Sequence, residues 1–261
     1  MILKGRPISP GRAEGRVVKV GEAFSFLGGV NGSTGDLVGR EGNIAGKAFA
    51  FPKGKGSTVG SFVVYDLMVH GKAPAALINR EAETIVTTGA VISSVPMVDS
   101  VDIGLLEDGD DVVVDGDSGT VEIRGLPLVR VASSAVVSGG RVLLLKRPMG
   151  AKSFPGAWSL AAGKIEPGEE PEAAARREVF EETGIRVGEP FASLPPILVR
   201  GGGTMWEVHP FAYLAEGAAP SLNHENTEFA WALPGDVGAR GEILVPKTRD
   251  VVLEMTGAAG R

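Results

Sequence analysis

The sequence predicts a mixed α/β protein made of two domains. Its 261 residues suffice for two domains of ordinary size, and 43% of them are hydrophobic, which is enough for two buried cores. Short apolar segments typical of strands surround one helix-like segment in each half of the chain. The boundary is predicted where Gly125 and Pro127 separate two strand-like segments without a long flexible linker. We therefore expect one domain over residues 1–125 and another over residues 126–261.

Composition excludes several classes of function. The net charge of −6 argues against a protein that binds the nucleic-acid backbone. The absence of cysteine excludes disulfides, a thiol nucleophile and an iron–sulfur cluster held by thiolates of this chain. The N-terminus lacks the apolar segment of a signal peptide, and no apolar run is long enough to cross a membrane. We expect a cytoplasmic protein that contacts neither nucleic acid nor membrane.

In the first half, four segments are typical of strands and one is typical of a helix. The strands are predicted at residues 16–20, 45–51, 75–78 and 111–115, and the helix over residues 59–70, where Gly71 stops it.

The glycine-rich loop before this helix carries Ser57 and Thr58. A helix start directs backbone N–H groups and the positive dipole end at whatever lies before it, which favours an anionic ligand or a serine oxyanion. Gly56 would let a substrate approach the backbone. From these residues alone, a simple helix N-cap by Ser57 or Thr58 remains the plainer interpretation.

In the second half, strands are predicted at residues 142–147, 206–213 and 225–231, with a turn at residues 154–158. A helix is predicted between Pro171, which suits a first helical turn, and Gly184, which suits a C-terminal stop.

Three acidic residues near the end of this helix require positive charge. Glu178, Glu181 and Glu182 fall within an arc of about 100°, in the turns where the helix dipole disfavours negative charge. Arg177 can pair with Glu181 four residues on, but one arginine cannot balance three acids. A divalent cation with hard oxygen ligands can, and Mg²⁺ bridging to a diphosphate is the natural candidate. A solvated acidic face is the alternative for such a pattern.

Residues 163–185, read as GKIEPGEEPEAAARREVFEETGI, fill every fixed position of the Nudix box, so the chain from about residue 126 onward resembles a Nudix hydrolase. The resemblance implies an α/β/α sandwich and Mg²⁺-dependent hydrolysis of a diphosphate linked to a group X. It implies metal binding by the Gly163 carbonyl and by the three acids, with Glu178 as the base. The remaining box residues, Glu169 and Arg177, would orient the loop and the helix, and residues 194–204 would help select the substrate.

A second resemblance covers about residues 3–124. The ordered motifs SFLGGV at residues 25–30, GKGSTVGS at 54–61, ETIVTTGA at 83–90 and VPMVD at 95–99 resemble the swivel domain of the aconitase X family. They also resemble the small subunit of the archaeal phosphomevalonate dehydratases. This resemblance implies a swivelling β/β/α domain that acts with a large subunit, whose cysteines hold a [4Fe-4S] cluster.

By the same resemblance, Ser57 removes the proton alpha to the substrate carboxylate, with Ser61 as the second candidate. Gly56, Thr58 and Ser61 would contact the substrate. The expected reaction is dehydration of (R)-5-phosphomevalonate to trans-anhydromevalonate 5-phosphate, in the mevalonate route of isoprenoid biosynthesis; cis-3-hydroxyproline is the alternative substrate.

The fusion leaves further alternatives open. The swivel half can be a non-catalytic interaction module attached to a Nudix hydrolase of a nucleotide-type diphosphate, or the Nudix half can bind a ligand without cleaving it. Because the two halves are fused and the phosphomevalonate route contains isoprenoid phosphates, a further hypothesis is that the Nudix half acts on an isoprenoid diphosphate.

Overall fold

The computed structural model describes residues 1–239 and 241–257. The chain divides into two compact units, one spanning Met1–Leu126 and one beginning at Pro127. Among the described residues, no helix combines the length and the apolar character needed to span a bilayer.

One mixed eight-stranded sheet organises the first unit, in the order β1-β8-β7-β3-β4-β5-β6-β2. Its strands are β1 (Ile2–Lys4), β2 (Arg6–Ser9), β3 (Arg12–Lys19), β4 (Ala48–Lys53), β5 (Ala76–Glu81), β6 (Met97–Asp99), β7 (Asp111–Asp115) and β8 (Thr120–Ile123). Its helices are the single turn α1 (Phe26–Gly29), α2 (Val59–Val69) and α3 (Thr84–Ile92), with a 3₁₀ turn at Ile103–Leu105. Strands β3 to β6 run parallel, and the remaining pairs are antiparallel.

A cluster of four phenylalanines holds the start of the loop that precedes α2. Phe49 and Phe51 are fully buried on β4, and Phe24 packs edge-on against Phe49 with ring centroids 4.8 Å apart. Phe26 completes the cluster at 5.2 Å from Phe24. The Phe24 backbone also bonds to both Lys53 and Lys55, so this core fixes the path of the chain where it leaves β4.

The prediction of a single helix in the first half is wrong, because α3 is a second helix. Threonine, valine and isoleucine dominate residues 84–92, and such β-branched residues favour strands. The helix forms because the Glu83 carboxylate caps it, accepting a bond of 3.1 Å from the Ile85 N–H, and because its inner face packs closely on α2. The close approach requires Gly89, since a Cβ there would lie 2.9 Å from Val64. Tertiary packing thus overrides local propensity.

A second mixed sheet organises the second unit, and its main path is β11-β10-β9-β15-β13. Three strands pair off this path: β12 with β9, β14 with β15 and β16 with β10. Its strands are β9 (Leu128–Ser138), β10 (Arg141–Lys146), β11 (Trp158–Ser159), β12 (Ala161–Lys164), β13 (Ala192–Ser193), β14 (Ile197–Gly201), β15 (Thr204–Leu214) and β16 (Glu228–Ala232). Its helices are α4 (Pro171–Thr183) and α5 (Thr248–Met255), with a 3₁₀ turn at Pro234–Asp236.

Helices α4 and α5 cover opposite faces of this sheet. Side chains of β9 alternate between them, because successive residues of a strand point to opposite faces. Ala132 packs in one buried cluster with Ala174 of α4, whereas Ala135 packs in another with Val252 of α5. The predicted α/β/α arrangement is therefore confirmed.

The predicted limits of α4 are also confirmed: Pro171 occupies its first turn, and Gly184 ends it with a φ of 69°. The late strand differs from the prediction, since β16 begins at Glu228 and Glu225 lies in the turn before it.

Candidate functional sites

Ser57 is exposed in the loop between β4 and α2. Its Oγ accepts a hydrogen bond of 3.3 Å from the Val59 N–H, so the hydroxyl lies at the helix N-terminus as predicted. Gly56 has a φ of +110°, and a Cβ at that position would lie 2.8 Å from the Ser25 hydroxyl, so only glycine fits the loop there. Any negative charge that develops on the Ser57 oxygen would be stabilised by this backbone N–H and by the dipole of α2.

The two neighbouring hydroxyl residues have different environments. Thr58 is exposed at the N-cap position and makes no side-chain cap bond. Ser61 is buried, and its hydroxyl donates a hydrogen bond of 2.8 Å to the Thr58 carbonyl. Of the three hydroxyls, that of Ser61 is thus turned into its own helix.

A cavity of about 240 Å³ lies beside this loop. Lys55 and Arg40 bring positive charge to its lining, and Glu22, which pairs with Arg40, brings the opposing carboxylate. Ser25 lines it as well, next to Gly56. Sequence reasoning missed Arg40, which lies in no motif, and it placed Ser25 in the SFLGGV motif without a role at this cavity.

In the second unit, the end of α4 brings the predicted acids next to β12. The Glu178 side chain lies directly against the backbone of Gly163, where a Cβ would overlap its carboxylate. Glu182 is only 5% exposed and accepts a hydrogen bond from the Ala162 backbone. The Glu181 side chain is 52% exposed. The three acids thus share one side of the helix end, at very different depths.

The pKa values of the two deeper acids are raised by burial and by neighbouring negative charges. Burial, together with the charges of Glu178 and Glu225, raises the pKa of Glu182 to about 8. Burial also raises the pKa of Glu178, against the opposing effect of Arg177 and with added repulsion from Glu181 and Glu225. Sequence reasoning missed Glu225, because it comes from a turn far along the chain with no motif of its own.

Arg177 connects the loop after β12 to the acids of α4. Its guanidinium makes two bonds to the Glu169 carboxylate, at 2.9 and 3.0 Å, and donates to the Lys164 carbonyl at 3.0 Å. The same group contacts Glu178 at 2.6 Å and Glu181 at 3.2 Å. Glu169 in turn accepts a bond from the Glu166 N–H, which closes the loop. This is the geometry that the predicted orienting roles of Glu169 and Arg177 require.

The donor set suits Mg²⁺, because carboxylates and a backbone carbonyl are hard oxygen ligands. In residues 1–239 and 241–257, however, no three acidic or histidine side chains converge as a ready-made cage. The positively charged Arg177 guanidinium lies between Glu178 and Glu181 and contacts both carboxylates. Mg²⁺ commonly binds through one or two carboxylates, with water and substrate phosphates completing its shell, so a preformed cage is not required.

Glu178, Glu181 and Glu225 line a cavity of about 480 Å³, whereas Glu182 is buried and does not line it. Arg147, Lys164 and Lys247 bring positive charge to its lining. Strands β9, β14 and β15 supply one part of the wall with mostly apolar side chains, among them Ile197 and Val199 from the segment predicted to help select the substrate. Another part comes from Ser153 and Ser159 and from residues 245–248 and Val251. The arrangement can hold an anionic group next to the acids and an uncharged group further along.

Two different family models match the chain, one within each compact unit. The family model of the aconitase X swivel domain matches residues 2–123, and that of the NUDIX domain matches residues 128–248. The phosphomevalonate dehydratase small subunit of Thermococcus kodakarensis is 55% identical over 128 residues, which cover 47% of this chain and 96% of the relative.

Solved structures resemble each half. Thermococcus kodakaraensis aconitase X in its holo form is 54% identical, with a TM-score of 0.46, over 47% of this chain and 98% of that chain. A MutT protein from Methanosarcina mazei is 24% identical, with a TM-score of 0.41, over 52% of this chain and 99% of that chain. Through its first unit, and on the strength of the sequence relatives, the chain belongs to the phosphomevalonate dehydratase small-subunit family of aconitase X swivel domains, and its second unit carries a NUDIX domain.

Proposed function

We propose that the chain joins two enzymes: a dehydratase small subunit over residues 1–125 and a Mg²⁺-dependent diphosphate hydrolase over residues 126–261. The observation that carries the second activity is the placement of the Glu178 carboxylate against the Gly163 backbone, with Glu181 and Glu225 lining the same cavity. Burial and repulsion among Glu178, Glu182 and Glu225 add to the case for a bound cation. The first activity rests on family membership and on the exposed Ser57 hydroxyl at the start of α2.

In the hydrolase, Glu178, Glu181, Glu182 and the Gly163 carbonyl would hold the metal. When bound there, Mg²⁺ would neutralise phosphate oxygens and lower the pKa of the attacking water. Arg177 keeps the end of α4 aligned with the loop after β12 through its paired bonds to Glu169. Glu178 would accept the proton from water, because it borders the cavity and its pKa is already raised by burial.

The hydrolase is tested by phosphate release from a panel of diphosphate esters, with and without Mg²⁺. Glu178→Gln should lower kcat at least 100-fold, because it removes both a metal ligand and the base. Glu254→Gln, an exposed position on α5, is the matched control and should leave kcat unchanged. Tight binding of a diphosphate without turnover would instead identify a domain that binds its ligand and does not cleave it.

In the dehydratase, Ser57 would remove the proton alpha to the carboxylate of (R)-5-phosphomevalonate. The Val59 N–H and the dipole of α2 would stabilise the alkoxide, which is required because a serine in water is a poor base. Lys55 and Arg40 beside the loop suit the carboxylate or the phosphate of a small anionic substrate. Since the chain has no cysteine, a [4Fe-4S] cluster would be held by a large subunit.

The outer face of α2 supports the need for such a partner. Phe62 is 66% exposed, and Tyr65 and Val69 continue the same apolar stripe at helical spacing. The stripe begins within two turns of Ser57, so a subunit that covered it would also exclude water from the serine. Desolvation of this kind is what a serine base requires.

The dehydratase is tested by reconstitution with a large subunit of the same family. Ser57→Ala should abolish dehydration of 5-phosphomevalonate and leave diphosphate hydrolysis intact, whereas Ser33→Ala, on an exposed loop, should affect neither. Unchanged dehydration by Ser57→Ala would refute the role of Ser57. Turnover of cis-3-hydroxyproline alone would establish the alternative substrate, and the absence of any dehydration would favour the interaction module.

A further inference from the structure

We propose that the group X carried by the diphosphate is an aliphatic hydrocarbon chain, bound along the apolar wall of the larger cavity, and not a nucleoside. This inference rests on the proposed diphosphate hydrolase and names its substrate class. It follows from the arrangement of side chains across four neighbouring strands of the second unit.

One row of side chains crosses the sheet from charged to apolar. Lys164 on β12 lies opposite Val131 on β9, Val131 lies beside Val208 on β15, and Val208 lies opposite Ile197 on β14. All four side chains line the cavity. A row with a cation at one end and three aliphatic side chains behind it matches a ligand with an anionic head and a hydrocarbon tail.

The length of this row sets the size of the ligand. Three strand spacings separate β12 from β14, and neighbouring strands lie about 4.8 Å apart, so the row spans roughly 14 Å. Glu178 and Glu181 line the same cavity as this row, and the Glu178 carboxylate lies against the backbone of β12 at Gly163, so the diphosphate would lie at the β12 end of the row. The remaining length leaves room for a short hydrocarbon chain.

The same wall offers little that could read the edge of a nucleobase. In the described part of the chain, the cavity-lining residues of β9, β14 and β15 include no charged or amide side chain. Ser133 supplies one hydroxyl, and the Trp206 indole N–H is already donated to the Gly201 carbonyl at 3.1 Å. A base buried against these three strands would leave the polar edge atoms that face them without partners, which costs more than the apolar contacts return. The other hydrogen-bonding side chains of the lining, Ser153, Ser159, Lys247 and Thr248, lie outside these strands.

Two aromatic side chains of the cavity lining, Phe154 and Trp206, contact Gly201 at the end of β14. The Phe154 ring lies so close to Gly201 that a Cβ there would overlap it, and Trp206 is tied to the carbonyl of the same glycine. Phe154 holds a left-handed φ of 50°, an unfavourable conformation for a bulky residue that is typical of ligand sites. Both rings line the cavity and add apolar surface to it.

The test compares kcat/KM for methyl, isopentenyl and geranyl diphosphates with that for ADP-ribose and GDP in the presence of Mg²⁺. We expect kcat/KM to rise about fourfold for each buried methylene and to exceed the value for both nucleotides. Val208→Thr, a change of similar shape, should lower kcat/KM for the prenyl diphosphates about tenfold, because it buries a hydroxyl against the chain. The loss should be smallest for methyl diphosphate, and circular dichroism checks that the variant is folded.

The outcomes separate this inference from the proposed hydrolase. Faster turnover of the nucleotides, or an equal effect of Val208→Thr on every substrate, would overturn the aliphatic site and leave the hydrolase standing. If no diphosphate is hydrolysed, the hydrolase is wrong. Quenching of tryptophan fluorescence by a hydrolysis-resistant geranyl methylenediphosphonate, weakened by Val208→Thr, would then still support the apolar site, and no quenching would reject it.

Discussion

Replacing Glu182 by glutamine should stabilise the metal-free protein while it destroys Mg²⁺-dependent hydrolysis. Glu182 is 5% exposed, and its carboxyl pKa is raised from 4.5 to about 8. The folded state therefore keeps the proton over a pH range in which the unfolded chain has lost it. Glutamine has the same shape as the protonated acid, so it avoids the cost of a buried charge.

The size and sign of the effect follow from proton linkage. Between pH 4.5 and pH 8 the unfolded state binds fewer protons than the folded state, so the free energy of unfolding falls as the pH rises, by at most about 1.4 kcal/mol per pH unit. The wild type should thus lose on the order of 4 kcal/mol across this window relative to Glu182→Gln. Below pH 4.5 the two proteins should differ little, because both carry a neutral group.

The assay is urea denaturation of the full chain with chelator at several pH values, following the transition of the second unit. Glu181→Gln, on the same helix, is the matched control: its side chain is 52% exposed, so its loss should change stability by less than about 1 kcal/mol at any pH. Saturating Mg²⁺ should reverse the order of stability, because only the wild type gains a complete site. Parallel pH curves for the wild type and Glu182→Gln would refute the burial of this charge.

Three further predictions test other parts of the molecule. Gly163→Ala should lower the kcat of hydrolysis at least 100-fold, because its methyl group would displace the Glu178 carboxylate. Dehydration by the same variant is the control, and a change in its rate would contradict an effect confined to the hydrolase site. Phe62→Asp should weaken assembly with a dehydratase large subunit at least tenfold in titration calorimetry, whereas an unchanged Kd would place the interface elsewhere. The apparent affinity for Mg²⁺ should rise from pH 6 to pH 8 with release of protons to the buffer, because buried Glu182 must ionise before it binds; a flat profile would argue against Glu182 as a ligand.

Local sequence signals were sufficient for α4 and for the loop before α2. Pro171 and Gly184 specify the ends of α4 through the fixed φ of proline and the tolerance of glycine for positive φ, so no distant contact was needed. Helical spacing then placed Glu178 and Glu182 on one side of the helix. The same logic placed Ser57 at the start of α2, where its oxygen accepts the Val59 N–H.

Other features had no local signal. Residues 84–92 form a helix only because they pack on α2 and are capped by Glu83, against the preference of their β-branched side chains. Glu225 joins the acids from a turn far along the chain, and its influence is electrostatic, which no spacing rule reveals. The apolar wall of the cavity arises from cross-strand register among β9, β14 and β15, and register depends on the completed sheet.

The sequence by itself determined which chemical groups are present and which helices present them: a serine before one helix, three acids near the end of another, and no thiol in the chain. How deeply each group lies and what faces it depend on the folded chain, because burial and electrostatic repulsion come from residues distant in the sequence. That difference in depth makes Glu182 a buried acid with a raised pKa and Glu181 a half-exposed partner of Arg177, although the two are neighbours in the sequence.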